Sequence, residues 1–284
     1  MRVEGLPLLH VNLCTYADLA GAGRSIVDFI EFAIDLATGA DIPLRIRVER
    51  QAWRHRPETG RRLTGQAWAK SREVILDGGY TGVVLFNDSA SPSQGMPRFL
   101  LDIQASDVYS DILTRIRDPA ARERVLQAAR PTPRFINLAV AVGDGGIDLD
   151  RGQLRTIVQA VESTFQQVHG ACGLMTADAG SIIGDRTQYE LSRRVYWAST
   201  PEIFTTRLRG AFWGNLLSPR HVAILGGLNR VAQEAPCSVV EPLTFDEPAS
   251  AESMGAYLQL SEHPEDVSAA QMEALSRYLA PLLP

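Results

Sequence analysis

The chain is short of several things, and each shortage removes a class of protein. It has only 3 cysteines in 284 residues. Cys14, Cys172 and Cys237 are far apart and odd in number, so they read as reduced, buried thiols of a cytosolic protein rather than a disulfide framework. No apolar run approaches the roughly 18 residues of a spanning helix, which argues against a membrane protein. The opening Met1-Arg2-Val3-Glu4-Gly5 lacks the charged-then-apolar build of a signal peptide, so a cytoplasmic location is expected. Lysine is almost missing: Lys70 stands alone among the basic residues, a bias of a GC-rich genome rather than of a function. With 28 basic against 33 acidic residues the net charge is −5. That balance disfavours direct binding of nucleic acid or of an anionic membrane, both of which want a basic surface.

Motifs of chemistry are scarce as well. His10, His55, His169, His221 and His263 are scattered, with no HExxH and no cysteine at ligand spacing, so no metal is expected. There is no GxSxG elbow and no Walker loop. Gly21-Ala22-Gly23 is a fragment of a dinucleotide fingerprint in which Ile26 stands where the third glycine belongs, and no cofactor is expected. The run from Asp144 to Asp150 holds three carboxylates. An EF-hand loop needs glutamate at its twelfth position, and counting from Asp144 or Asp148 gives Arg155 or Gln159. Cys172 lies three residues after His169, a weak nucleophile–base pair because such partners usually come from distant segments.

What is present is globular: apolar residues make up 45% and charged residues 21%. One domain of this length buries roughly three quarters of its unfolded surface and needs no staple. Strands are expected over Leu6–Leu13, Leu44–Trp53, Gly82–Asn87, Phe99–Gln104, Phe135–Val142, Ser238–Phe245 and Gly255–Ser261. Helices are expected over Arg24–Ala37, Leu63–Leu76, most of Asp107–Arg130, Gly152–His169, Ser218 to Gly226-Gly227, a short stretch to Ala235, and Ser268–Leu283. Gly170–Thr187 and Leu191–Ser199 are ambiguous. Strands and helices mix without βαβ alternation, so the expected class is α+β, with mixed or antiparallel sheets and flanking helices. The chain reads as one globular domain, 1–284. Each half opens with a strand and a long helix, which suggests two similar sub-halves, 1–130 and 131–284.

Charge is unevenly placed. Arg45 to Arg72 holds nine basic residues against Glu49 and Glu58, whereas Glu241 to Pro284 holds eight acids against Arg277. The first helix carries Asp28, Glu31 and Asp35 on the side away from its apolar stripe of Ile26, Phe29, Ile30, Ala33 and Ala37.

The second half carries an ordered string of signals. Phe212-Trp213-Gly214-Asn215-Leu216-Leu217-Ser218-Pro219-Arg220-His221-Val222 runs into Leu225-Gly226-Gly227-Leu228. Gly255-Ala256-Tyr257-Leu258-Gln259-Leu260, Pro264 and a last helix through Tyr278-Leu279-Ala280-Pro281-Leu282 follow. In order and spacing this resembles a bacterial type VI immunity family, a former domain of unknown function described as immunity to VRR-NUC effectors. The tail departs from it at Glu262-His263-Pro264, where the family is richer in glycine. The resemblance implies a cytoplasmic protein that binds and neutralises a cognate secreted nuclease effector. It supplies no catalytic residues. Trp213, Asn215, Leu217, Pro219, Gly226, Gly227, Gly255, Gln259 and Pro264 are expected to be structural. The expected toxin-binding acids are Asp28, Glu31 and Asp35 on the helix, with Asp246, Glu247 and Glu252 in the C-terminal loop as a second surface. The competing reading is an enzyme whose active site lies in a cleft between the two sub-halves, built from residues distant in sequence. A scaffold protein without a toxin partner is a third.

Overall fold

The computed structural model describes residues 8–50, 60–87, 98–105, 118–121, 123, 133–143, 146–177, 203–245 and 254–283. Its centre is a 10-stranded sheet of order β3-β2-β4-β5-β6-β1-β7-β8-β10-β9. The strands are β1 Leu8–Thr15, β2 Leu44–Glu49, β3 Arg61–Arg62, β4 Gly82–Asn87, β5 Phe99–Gln104, β6 Arg134–Ala141, β7 Gly170–Thr176, β8 Gly214–Leu217, β9 Val239–Thr244 and β10 Met254–Gln259. Every neighbouring pair is antiparallel. Helices α1 Gly23–Gly39, α2 Gly65–Leu76, α3 Arg151–Gln167, α4 Ile203–Thr206, α5 Pro219–Ile224, α6 Leu228–Glu234 and α7 Ala269–Tyr278 flank it. The class is therefore α+β, as the mixed pattern implied.

The two first strands meet at the middle of the sheet. β1 lies between β6 and β7, and β6 lies between β5 and β1. The sheet is thus continuous across the division at 130, and buried residues from Leu9 to Leu282 form one apolar cluster.

Register explains what each face holds. One cross-strand row runs Val48, Val83, Ile103, Ile136, Leu13, Gly173, Leu216, Tyr257 and Glu241. The next runs Ile46, Leu85, Leu101, Leu138, Val11, Met175, Gly214, Gln259 and Val239. Because side chains alternate along a strand, these two rows share a face. Their central members are buried beneath α1 and α3, which pack on each other, on β5 and on β7. Apolar residues fill both rows until the last two strands, where tyrosine, glutamine and glutamate replace them.

Element ends follow local chemistry. The Asp150 side chain accepts from the Gln153 N–H and starts α3. Thr64 does the same for α2 through Ala67. Ser268 and Gln271 form a reciprocal capping box on α7. β1 extends to Thr15, two residues past the end its apolar run implied, because the Thr15 hydroxyl donates to the Val168 carbonyl at 2.7 Å and fastens the strand to the end of α3. β2 stops at Glu49, short of Trp53. Gly170–Thr176, ambiguous in sequence, is a strand paired on both sides. Most of the helix expected over Asp107–Arg130, the stretch Leu191–Ser199 and the loop after Asn87 lie outside the described residues.

Candidate functional site

The acids of α1 are largely answered from within the chain. α2 packs against α1. The Trp68 indole N–H donates to Glu31 Oε1 at 3.2 Å, and Arg72 Nε donates to the same oxygen at 3.2 Å. Asp28 pairs with Arg24 at 3.1 Å one turn earlier. Asp35 is exposed. The three share a helix side, yet Glu31 is a bridge between two helices. Asp246, Glu247 and Glu252 lie outside the described residues.

The residues of the ordered string point inward. Trp213 is 2% exposed, and its indole N–H donates to the Ser261 carbonyl at 3.0 Å. The Asn215 amide donates to the Phe212 carbonyl at 2.8 Å and its oxygen accepts the Phe212 N–H at 3.2 Å, closing the turn before β8. Leu217 is buried opposite Ala256. Pro219 occupies the first turn of α5, where the missing N–H is harmless. His221 Nδ1 sits 3.0 Å from the Ser218 hydroxyl, and burial lowers the imidazole pKa to about 4. Gly226 and Gly227 have φ of +97° and +95°, the left-handed region, and turn α5 into α6. A Cβ on Gly255 would collide with the Leu217 carbonyl and come within 2.7 Å of the Phe245 ring. Gln259 accepts from the Tyr257 hydroxyl at 3.0 Å and donates to the Ser261 carbonyl at 2.8 Å. Pro264 opens a short 3-10 turn.

These contacts shape a cleft of about 370 Å³ between α3 and the β9–β10 edge. Leu154 and Val158 of α3 form its apolar wall, while Tyr257, Gln259, Glu241 and Val239 form the sheet side. At the N-terminal end of α3, Arg151 pairs with Glu262 at 2.8 Å, beside His263. At the other end of the helix the Phe165 and Phe245 rings meet edge-on at 5.7 Å. α3 therefore runs along β9, and its Glu162 comes to face Glu241.

Glu162 is the perturbed group of the cleft. Its Oε1 is fully buried and has no hydrogen-bond donor. Burial first, and repulsion from Glu241 second, raise its carboxyl pKa to about 7. Tyr257 is buried next to it, and desolvation, followed by the charges of Glu162 and Glu241, pushes its hydroxyl well up. Glu162 and Glu241 thus line one cleft, whose other charged residues are Arg151, Arg155 and Glu262.

Other reactive groups sit elsewhere. Cys172 faces Cys14 across β1 and β7, and burial first, then the hydrogen bond that the Cys14 thiol donates to Cys172, raises the Cys14 pKa. His10 is held down to about 4 by burial and by Arg209. Among the described residues no three His, Cys, Asp or Glu side chains converge as a metal site. No described helix is long and apolar enough to cross a membrane.

The cleft escaped the sequence reading, although one signal was present. The stripe Leu154, Val158, Val161, Phe165 places position 162 at its border, where a carboxylate is out of keeping. Glu241 carried no signal, because only the register of β9 on β10 brings it to the same face.

No protein-family model matches the sequence, and no curated protein matches it. In fold the chain is similar to the Pseudomonas aeruginosa T6SS protein PA0821, at 13% identity and a TM-score of 0.61, over 97% of this chain and 73% of that one.

Proposed function

We propose that this chain is a cytoplasmic immunity protein that binds and neutralises a nuclease toxin delivered by type VI secretion, of the VRR-NUC kind, and has no catalytic activity of its own. The observation that carries the reading is the fold likeness over 97% of the chain to a T6SS protein. Net charge supports it. A nuclease cleft is positive because it holds phosphate, and a chain of charge −5 is steered towards such a cleft at a raised rate. Two acidic surfaces are available for the contact: the outer side of α1, with Asp28 and Asp35 exposed, and the cleft lined by Glu162 and Glu241.

The test is co-expression with the product of the adjacent reading frame, which the reading requires to be a toxic nuclease. Restored growth together with co-purification is the expected result. A nuclease that stays toxic and elutes alone would overturn the reading.

One observation favours an enzyme instead: a half-buried carboxylate poised near neutral pH opposite a second one is the makings of an acid–base pair. That cleft lies within residues 151–263, inside the second half rather than between the halves. Turnover abolished by Glu162→Gln would establish this second reading.

A further inference from the structure

We infer that Cys14 and Cys172 form a modification site, a cross-strand dithiol that a small hydroperoxide closes to a disulfide between β1 and β7. The inference does not depend on the immunity reading.

The argument starts from register. Cys14 and Cys172 are direct partners in the β1–β7 pairing. Opposed residues of an antiparallel pair project to the same side of the sheet, with Cα atoms roughly 4.5–5.5 Å apart. That spacing falls inside the roughly 4.4–6.8 Å that a disulfide spans. The Cys14 thiol donates to Cys172, so the two sulfurs are neighbours before any bond forms. The register also slips at this point. Thr15 pairs with Gly170, which leaves Ala171 as the extra residue of a bulge. A bulge breaks the ladder locally and adds twist, so the backbone beside the pair has room to adopt the torsion of an S–S bond.

The surroundings decide which sulfur reacts first and with what. The cross-strand row runs Phe135, Cys14, Cys172 and Leu217. The Arg209 guanidinium lies 5.4 Å from the centre of the Phe135 ring and 5.6 Å from that of Phe204. Its charge favours a thiolate at Cys14, but burial outweighs it and keeps that thiol protonated. Cys14 is 0% exposed and Cys172 is 5% exposed. Attack therefore begins at Cys172, with Cys14 as the resolving thiol. Hydrogen peroxide, little larger than water, reaches such a site through small local openings, whereas a tripeptide disulfide does not.

The chemistry balances without a further reactant. The Cys172 sulfur attacks one peroxide oxygen and the O–O bond breaks. Cys172 becomes a sulfenic acid, and the hydroxide released takes the thiol proton and leaves as water. The Cys14 sulfur then attacks the sulfenic sulfur. The S–S bond forms, the S–O bond breaks, and the Cys14 proton departs with the hydroxyl as a second water. Two thiols lose two electrons in total, and one peroxide is reduced to two waters. The second step joins adjacent groups, so it outruns further oxidation of Cys172 to the sulfinic acid. The bond ties two strands at the middle of the sheet and removes freedom from the unfolded chain.

The experiment uses the full chain in a Cys237→Ser background, which leaves only the pair. Folded protein is treated with hydrogen peroxide or, separately, with glutathione disulfide, then alkylated, digested and analysed by mass spectrometry with and without reductant. The expected result with peroxide is a reductant-sensitive link between the Cys14 and Cys172 peptides, within one chain, two hydrogens lighter than the dithiol. Glutathione disulfide is expected to leave both thiols free. The linked chain should melt about 5–10 °C above the reduced one. Cys14→Ala should stop oxidation at an unlinked Cys172. Two free thiols after exhaustive peroxide, or a sulfinic acid at Cys172 beside a free Cys14, would overturn the proposal, and both are read in a chain whose pair is intact. A link that forms only in urea, or a linked chain that melts below the reduced one, would overturn it as well, because the native ladder would then not accommodate the bond.

Discussion

Two acidic regions of this molecule differ in what their carboxylates already have. On α1, Glu31 receives two N–H donors from α2, and Asp28 has an arginine one turn away. In the cleft beside α3, Glu162 has a buried oxygen with no donor and a second acid opposite. The α1 acids are conspicuous in sequence and nearly spent in structure. The cleft acids are inconspicuous in sequence and unspent. The difference teaches that the charge left uncompensated after folding, not the number of acids on a helix side, is what sets the two regions apart.

Mutations sharpen the contrast, beginning with the scaffold that both regions need. Trp213→Ala empties a site 2% exposed and removes one of the two donors to the Ser261 carbonyl, so a loss of about 3–5 kcal/mol is expected by urea melts. It also frees the segment carrying Glu262 and His263, so the cleft should lose its mouth. Gly255→Ala forces a Cβ against the Leu217 carbonyl and the Phe245 ring and is expected to cost about 1–3 kcal/mol in the same assay.

The acids themselves should then part company in sign. The folded state holds the Glu162 proton up to about pH 7, against 4.5 for the unconstrained group. Folded protein thus binds more protons than unfolded between those values, and stability contributed by this site falls as pH rises through the window. Glu162→Gln should leave stability unchanged at pH 4 and raise it above pH 7 by roughly 1 kcal/mol, a figure discounted for the solvent that reaches the rest of the carboxylate. Equal melting curves for variant and wild type at pH 8 would say that the carboxylate is compensated after all. On α1 the expected sign is opposite and the effect smaller: Glu31→Gln should destabilise by about 0.5 kcal/mol, through the loss of its Arg72 pairing. Asp28→Asn, at an exposed pair, should change the midpoint by less than about 0.5 kcal/mol.

Much of the scaffold was legible because it is written in local periodicity. β4 and β5 fall on the apolar runs Gly82–Asn87 and Phe99–Gln104, and α3 on the stripe from Leu154 to Phe165. Ser218-Pro219 and Gly226-Gly227 marked the start and stop of α5 through backbone chemistry that needs no tertiary partner. The order of the strands was not legible. Nothing in residues 8–15 says that they pair with both 134–141 and 170–176, because antiparallel pairing at long range depends on how whole faces bury together. The cleft inherits that blindness. Its acids meet only once β9 has taken its place outside β10 and α3 has crossed above it. The partnership of Glu31 with Trp68 and Arg72 was hidden for the same reason, since it depends on the packing of two helices.

The most direct measurement compares binding of the product of the adjacent reading frame, the toxin that the proposed function requires, by two variants at pH 6 and pH 8. One is Glu162→Gln, and the other is the triple Asp28→Asn, Glu31→Gln, Asp35→Asn. The uncompensated cleft predicts that Glu162→Gln binds about tenfold more weakly at pH 8 and loses the pH dependence, while the triple variant keeps wild-type affinity apart from a modest fall in association rate. Loss of binding in the triple variant, with Glu162→Gln indistinguishable from wild type, would contradict it and move the interface to α1.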